Sequence, residues 1–278
     1  MSRNRPVRVG NPLLLAMLAL ALPGYSGGVL GQQSSAVPHG LYFGLALPAG
    51  MFDATMRKTV DNTAPNTLVP DPRRGRIFHD EVSGDAPAFG IALVVGYRLP
   101  LGGGSWYLDG DVGTGWKNGT AEARFAGVGV SPGRRQLGES WPDDWSLMKD
   151  LNYEATVRLG GGPGALRSRD LSLYVLAGVR VAGMRFTNHY TGCFTPEPCD
   201  QSRFRSGREN RDMTFTAWKS GLGLEKQVNE GFAIRAEASY SVYGREEWTT
   251  PFEDVGVMVR SSMDANEVGL TVGMLLRF

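Results

Sequence analysis

Asp109, Asp111, Glu154, Glu225, Glu237 and Glu267, together with Arg98, Arg158, Arg180, Lys219, Arg235 and Arg277, are the residues of this 278-residue chain best placed to do chemistry. Eleven lie in the polar row of a segment whose alternate row is apolar, and Glu267 stands immediately before the last such segment, in step with its polar row. Six acids against six bases could exchange protons, line a polar path, or neutralise one another. Charges enclosed without partners lose hydration at high cost, so mutual pairing is the first expectation. A salt-bridge network is therefore predicted, with a narrow polar path for small solutes as the alternative. No catalytic constellation assembles around the three histidines, His39, His79 and His189, because no serine and acid stand beside them on a strand. Asp143 and Asp144, or Glu246 and Glu247, read as solvated loop acids. Asp53, Asp61, Asp71, Asp80 and Glu81 lack the fixed spacing of a calcium loop, so neither metal nor cofactor is expected. Cys193 and Cys199 read as one local disulfide, the default for an exported chain. Arg73, Arg74, Arg134, Arg135, Arg203, Arg205 and Arg208 cluster in polar links and could pair with phosphate.

The elements that must position these groups are strands, because successive strand residues point to opposite faces. Eight segments alternate: 41–50, 88–99, 106–116, 151–160, 171–186, 213–226, 232–242 and 268–278. In 88–99 the apolar row is Phe89, Ile91, Leu93, Val95, Tyr97 and Leu99. In 232–242 it is Phe232, Ile234, Ala236, Ala238, Tyr240 and Val242, opposite Arg235, Glu237, Ser239 and Ser241. The segment 213–226 is the weakest. Each is about ten residues or more, the length of a tilted membrane-crossing strand. Short links follow the second, fourth and sixth segments, and long polar links, roughly 51–87, 117–150, 187–212 and 244–265, follow the others. That alternation puts long loops at one end and short turns at the other. Tyr97, Trp106, Phe232 and Phe278 are expected at one membrane rim, with Phe89, Trp116, Tyr153, Trp218 and Tyr240 at the other. A soluble sandwich or lipocalin-type barrel, with the apolar rows turned inward, is the competing architecture.

Arg3, Arg5 and Arg8 precede an apolar run from Leu13 to Leu22, followed by Pro23, Gly24, Ser26, Gly27, Gly28 and Gly31. This reads as a signal peptide over 1–31, cleaved about Gly31, with the barrel and its four long outer loops occupying 32–278. A net charge of +1 gives no electrostatic case for nucleic acid. The negative mean hydropathy suits strands of which only alternate residues meet lipid.

The last strand, with Val268, Leu270, Val272, Met274, Leu276 and Phe278 in one row, resembles the C-terminal strand of bacterial outer-membrane β-barrels. In that family the final Phe belongs to the signal read by the barrel-assembly machinery. The segments as a whole resemble the small eight-stranded members: porin-family or opacity-like proteins and the membrane domain of outer-membrane protein A. The resemblance implies an all-β, eight-stranded antiparallel up-and-down transmembrane barrel, exported to the bacterial outer membrane. Its partners would be outer-membrane lipid, lipopolysaccharide and possible surface ligands. The expected role is non-enzymatic, in envelope integrity or surface interaction. A narrow porin-like channel and a lipid-modifying enzyme are the alternatives.

Overall fold

The computed structural model describes residues 39–69, 73–101, 106–125, 140–161, 170–193, 202 and 204–278. The strands are β1 (Gly40–Asp61), β2 (Ile77–Leu101), β3 (Trp106–Asn118), β4 (Thr120–Arg124) and β5 (Ser140–Gly161). They continue with β6 (Leu171–Cys193), β7 (Phe204–Asn229), β8 (Phe232–Tyr243), β9 (Glu246–Phe252) and β10 (Val257–Arg277). Neighbours pair antiparallel, and β10 closes the ring onto β1, from Tyr42 opposite Arg277 to Asp61 opposite Met258. Because β4 prolongs β3 against β5, and β9 prolongs β8 against β10, the ten strands form a barrel of eight staves. The expected soluble alternative is overturned by which rows face out.

Leu41, Phe43, Leu45, Leu47 and Met51 on β1, and every outward position from Phe89 to Leu101 on β2, are large, apolar and exposed. The same belt continues through Trp106, Val112, Val157, Val175, Leu222, Val272 and Met274 around the ring. Tyr97, Trp106 and Phe278 are exposed toward the end where Gly40 and Phe278 meet, and Phe232 is half-buried there. Phe89, Trp116, Tyr153, Trp218 and Tyr240 are exposed at the belt's other margin. An exposed apolar belt of this extent, rimmed by aromatic rings, is a lipid-facing surface.

The long links need correction. Of the spans expected as loops, 51–61, 77–87, 140–150, 187–193, 204–212, 246–252 and 257–265 are strand. β1 has 22 residues, β2 25 and β7 26, about twice what a bilayer crossing requires. From Phe52 to Asp61 alone the barrel continues for about 25 Å beyond the belt, at ~3.3 Å per residue and a strand tilt of ~40°.

In this projecting half the two faces exchange character. Asp53, Thr55, Arg57 and Thr59 point out, whereas Phe52, Ala54, Met56 and Val60 are buried within. Water now surrounds the wall, so the polar row turns outward and the apolar row fills the lumen. Phe52, Met56, Leu147, Phe186, Phe215 and Met263 are fully buried there, packed with Ala54, Ala88, Ala182, Ala217 and Ala265. A smaller cluster of Val60, Val69, Val255, Val257 and Val259 lies farther along, where Leu68 N donates to Val255 O at 2.9 Å.

One seam interrupts the projecting wall. The β7–β8 ladder ends at Ala217 opposite Tyr243, with a last rung from Gly244 N to Thr216 O at 2.8 Å. Beyond it no backbone pairing is described between β7 and β9. Side chains span the opening: Glu209 accepts from Trp248 Nε1 at 3.1 Å and Thr250 Oγ1 at 3.0 Å across it, and from Arg211 Nε on its own strand at 2.6 Å.

Candidate functional site: the ion-paired interior

Inside the apolar belt the lumen holds charge instead of hydrocarbon. Because the belt fixes strand parity, the alternate residues of the same segments must point inward. The lower tier, nearest Gly40 and Phe278, contains Arg98, Arg158, Arg235 and Arg277 with Asp109, Asp111, Glu225 and Glu237. Arg98 donates to Asp109 Oδ2 at 2.8 Å and grips Glu225 through both terminal nitrogens, each at 2.8 Å. Arg235 reaches Asp109 at 2.9 Å, Glu225 at 3.1 Å and Asp111 at 3.4 Å. Arg158 joins Glu237 at 2.7 Å and also pairs with Asp111, while Arg277 pairs with Glu225.

Three tyrosines complete the tier. The Tyr42 hydroxyl shares its one proton between Asp109 and Asp111 Oδ2, the latter at 3.0 Å, and Tyr174 donates to Glu237 at 3.1 Å. Arg98 stacks 3.9 Å from the centre of the Tyr107 ring. Glycines opposite all three rings make the room: Gly96 for Tyr42, Gly160 for Tyr107 and Gly223 for Tyr174. A methyl added at Gly96 would sit 2.3 Å from Tyr42 Cζ, and one at Gly160 2.3 Å from Tyr107 Cζ. Each ring therefore occupies the space its cross-strand partner leaves empty.

The upper tier lies between these groups and the apolar filling. Arg180 pairs with Glu154 at 2.8 Å and Glu267 at 3.2 Å; Lys219 lies 3.3 Å from Glu154 and 3.8 Å from Glu237. Lys117 and Lys149 both donate to Glu267, and Lys149 donates to Tyr243 hydroxyl at 2.7 Å. All twelve charged positions identified by sequence therefore lie in one ion-paired array. Lys117, Lys149, Tyr42, Tyr107, Tyr174 and Tyr243 were missed. The two lysines fell in a span assigned to a loop, although Lys117 continues the inward parity of Asp109, Asp111, Gly113 and Gly115.

A separate polar group is enclosed in the projecting half. Lys58 bonds Asp143 at 2.5 Å, and Asn188 Nδ2 donates to the same carboxylate oxygen. Asp143, expected as a solvated loop acid, is buried. Burial pushes its carboxyl above the usual range, against the opposing pull of Lys58. Asp144 points outward and holds Arg124 through two bonds, of 2.5 and 2.7 Å. It also stands opposite His189 in the ladder. His79 is exposed and bonds Thr59 Oγ1 at 2.9 Å; His39 is exposed at the opposite end of the barrel. Glu247 is exposed and Glu246 half-buried. No cluster of metal-ligating side chains occurs among the described residues.

Arg74, Arg205 and Arg208 are exposed, whereas Arg73 is buried, a correction to its expected place on an open loop. Arg134, Arg135, Arg203, Cys199 and residues 1–31 lie outside the described residues, so the disulfide and signal-peptide expectations fall there too.

The closed ring, lipid-facing belt and charged interior define an eight-stranded transmembrane β-barrel. No family model matches the chain, and no curated relative does. Among solved structures it is similar to Ail, the attachment invasion locus protein of Yersinia pestis, at 14% identity and TM-score 0.23, covering 80% of this chain and 97% of that one. It is also similar to Neisserial surface protein A, at 14% identity and TM-score 0.30, covering 84% and 97%. The outer membrane protease OmpT from Escherichia coli matches at 9% identity and TM-score 0.36, covering 89% and 99%.

Proposed function

We propose that the chain is an integral outer-membrane protein whose barrel is sealed and rigid, serving envelope integrity or surface contact without conducting solutes or turning over a substrate. The observation that carries this reading is the lumen's double filling. A solute would have to cross the paired lower and upper tiers and then the layer of Phe52, Met56, Leu147, Phe186, Phe215 and Met263. An eight-stranded barrel has an interior only wide enough for side chains to fill. The ends then follow: the turns near Gly40 and Phe278 face the periplasm, and the projecting half stands outside the cell. Export through a 1–31 signal peptide, and recognition of Leu270, Val272, Met274, Leu276 and Phe278 by the assembly machinery, belong to the same proposal.

For surface contact, the exposed Arg74, Arg205 and Arg208 suit the phosphates of lipopolysaccharide. The planar-bilayer experiment decides between sealed barrel and channel. Purified protein is expected to give no unitary conductance. Steady conductance that changes in Arg235→Ala or Glu237→Ala would replace the sealed barrel with the narrow channel. Lipid A mass spectra that change when the gene is deleted would favour the lipid-modifying enzyme.

A further inference from the structure

We propose that the barrel interior holds a small monovalent anion, of halide size, in a cavity beside Lys117. The lower tier is balanced, with Arg98, Arg158, Arg235 and Arg277 against Asp109, Asp111, Glu225 and Glu237. The upper tier is not: Lys117, Lys149, Arg180 and Lys219 share Glu154 and Glu267, and the one further carboxylate in reach, Glu237 at 3.8 Å from Lys219, already balances the lower tier. Its four bases are almost wholly buried, so among the described residues two positive charges lack a counter-charge. Uncompensated charge in such a place is costly, and an anion seated beside it would offset that cost.

The cavity lies where compensation is needed. It has a volume of about 40 Å³ and is lined by Lys117, Asn152, Glu154 and Arg180 of the upper tier, with Arg158 and Arg235 reaching it from below. Small residues make the space: Ala46, Gly113 and Gly273 line its wall. That volume exceeds the ~10–15 Å³ needed to seat one water-sized occupant. Lys117 is 3% exposed and its ammonium has one hydrogen bond among the described residues, to Glu267. An ammonium carries three donors, so Lys117 retains donors for an occupant. Glu154 and Glu237 also border the space, but each is already held by bases, Glu154 by Arg180 and Lys219, Glu237 by Arg158. The occupant that this lining selects is negative, compact and weakly basic.

Two measurements on the full mature barrel in micelles test this. At constant ionic strength, the midpoint of the heat-induced mobility change is compared in sodium gluconate, chloride and bromide. Gluconate is too large for the cavity. Chloride or bromide at about ten times the dissociation constant should raise the midpoint by roughly 3 °C, saturably. Lys117→Met should lose that increment. Independently of any variant, crystals of the wild-type protein grown in bromide should show an anomalous peak within hydrogen-bonding reach of Lys117 Nζ. Equal midpoints in all three salts, an increment retained by Lys117→Met, or a cavity without bromide would each overturn the assignment.

Discussion

Replacing Arg235 by methionine removes a guanidinium that touches three carboxylates of the lower tier. Asp109, Glu225 and Asp111 lose donors at 2.9, 3.1 and 3.4 Å. None is left bare, because Arg98 still holds Asp109 and Glu225 at 2.8 Å, and Arg158 still pairs with Asp111. The lower tier, taken by itself, nevertheless passes from balance to one excess negative charge. Removing one partner of a buried pair costs ~3–5 kcal/mol, and the remaining guanidiniums place this site near ~3 kcal/mol. For a chain of this size that corresponds to a fall of about 6–12 °C in Tm. Asp109→Asn in the same molecule restores the balance. The double variant should therefore be more stable than the sum of its parts predicts, by about 2 kcal/mol. Urea unfolding of the micelle-refolded barrel, followed by tryptophan fluorescence, supplies all four corners of the cycle. A single-variant cost below about 1 kcal/mol, or simple additivity, would refute the view that the tier acts as one balanced unit.

Phe215→Ala should cost about 3–5 kcal/mol by opening a cavity in the apolar filling, read from the same unfolding curves. Gly160→Ala should lower stability by forcing the Tyr107 ring aside, and the added Tyr107→Ala change should relieve the clash; a cost that Tyr107→Ala leaves intact would contradict the packing account. Asp61 accepts from the Thr63 hydroxyl and backbone amide, and these bonds hold its carboxyl below the ordinary 3.8. Its folded value is depressed, so the small stabilisation is present above pH 3.8 and fades as the pH falls through the folded value. A carbon-detected titration should show that depression in the wild-type barrel and a return toward 3.8 in Thr63→Val. Glu209→Ala should speed amide exchange in β9, because it removes the acceptor that ties Trp248 and Thr250 across the seam.

The belt half of the fold was legible because lipid makes strand alternation conspicuous. Phe89, Ile91, Leu93 and Val95 against Gly90, Ala92 and Val94 cannot be mistaken for a helix or a loop. The inward charges followed directly from that parity. The projecting half was not legible for the complementary reason. Thr55, Arg57 and Thr59 alternate with Ala54, Met56 and Lys58, but the outward row is polar and the inward row small or mixed, so the segment looks like polar linker. Lys149 and Asp143 were lost with it. Nor does the sequence show that Tyr42 lies over Gly96, since that depends on a cross-strand register fixed only when the ring closes.

The exchange of faces just past Met51 has a practical corollary for anyone decorating this protein. An epitope tag placed near Thr55 or Asn210, where a hydropathy plot suggests a permissive connection, would interrupt a hydrogen-bonded stave. The same point substitution also carries opposite consequences on either side of that boundary: leucine for an outward residue is innocuous at position 47, where it is native, but creates a sticky spot in water at position 57. Tolerance maps from saturation mutagenesis should therefore mark the waterline along each stave as the point where the two rows trade preferences.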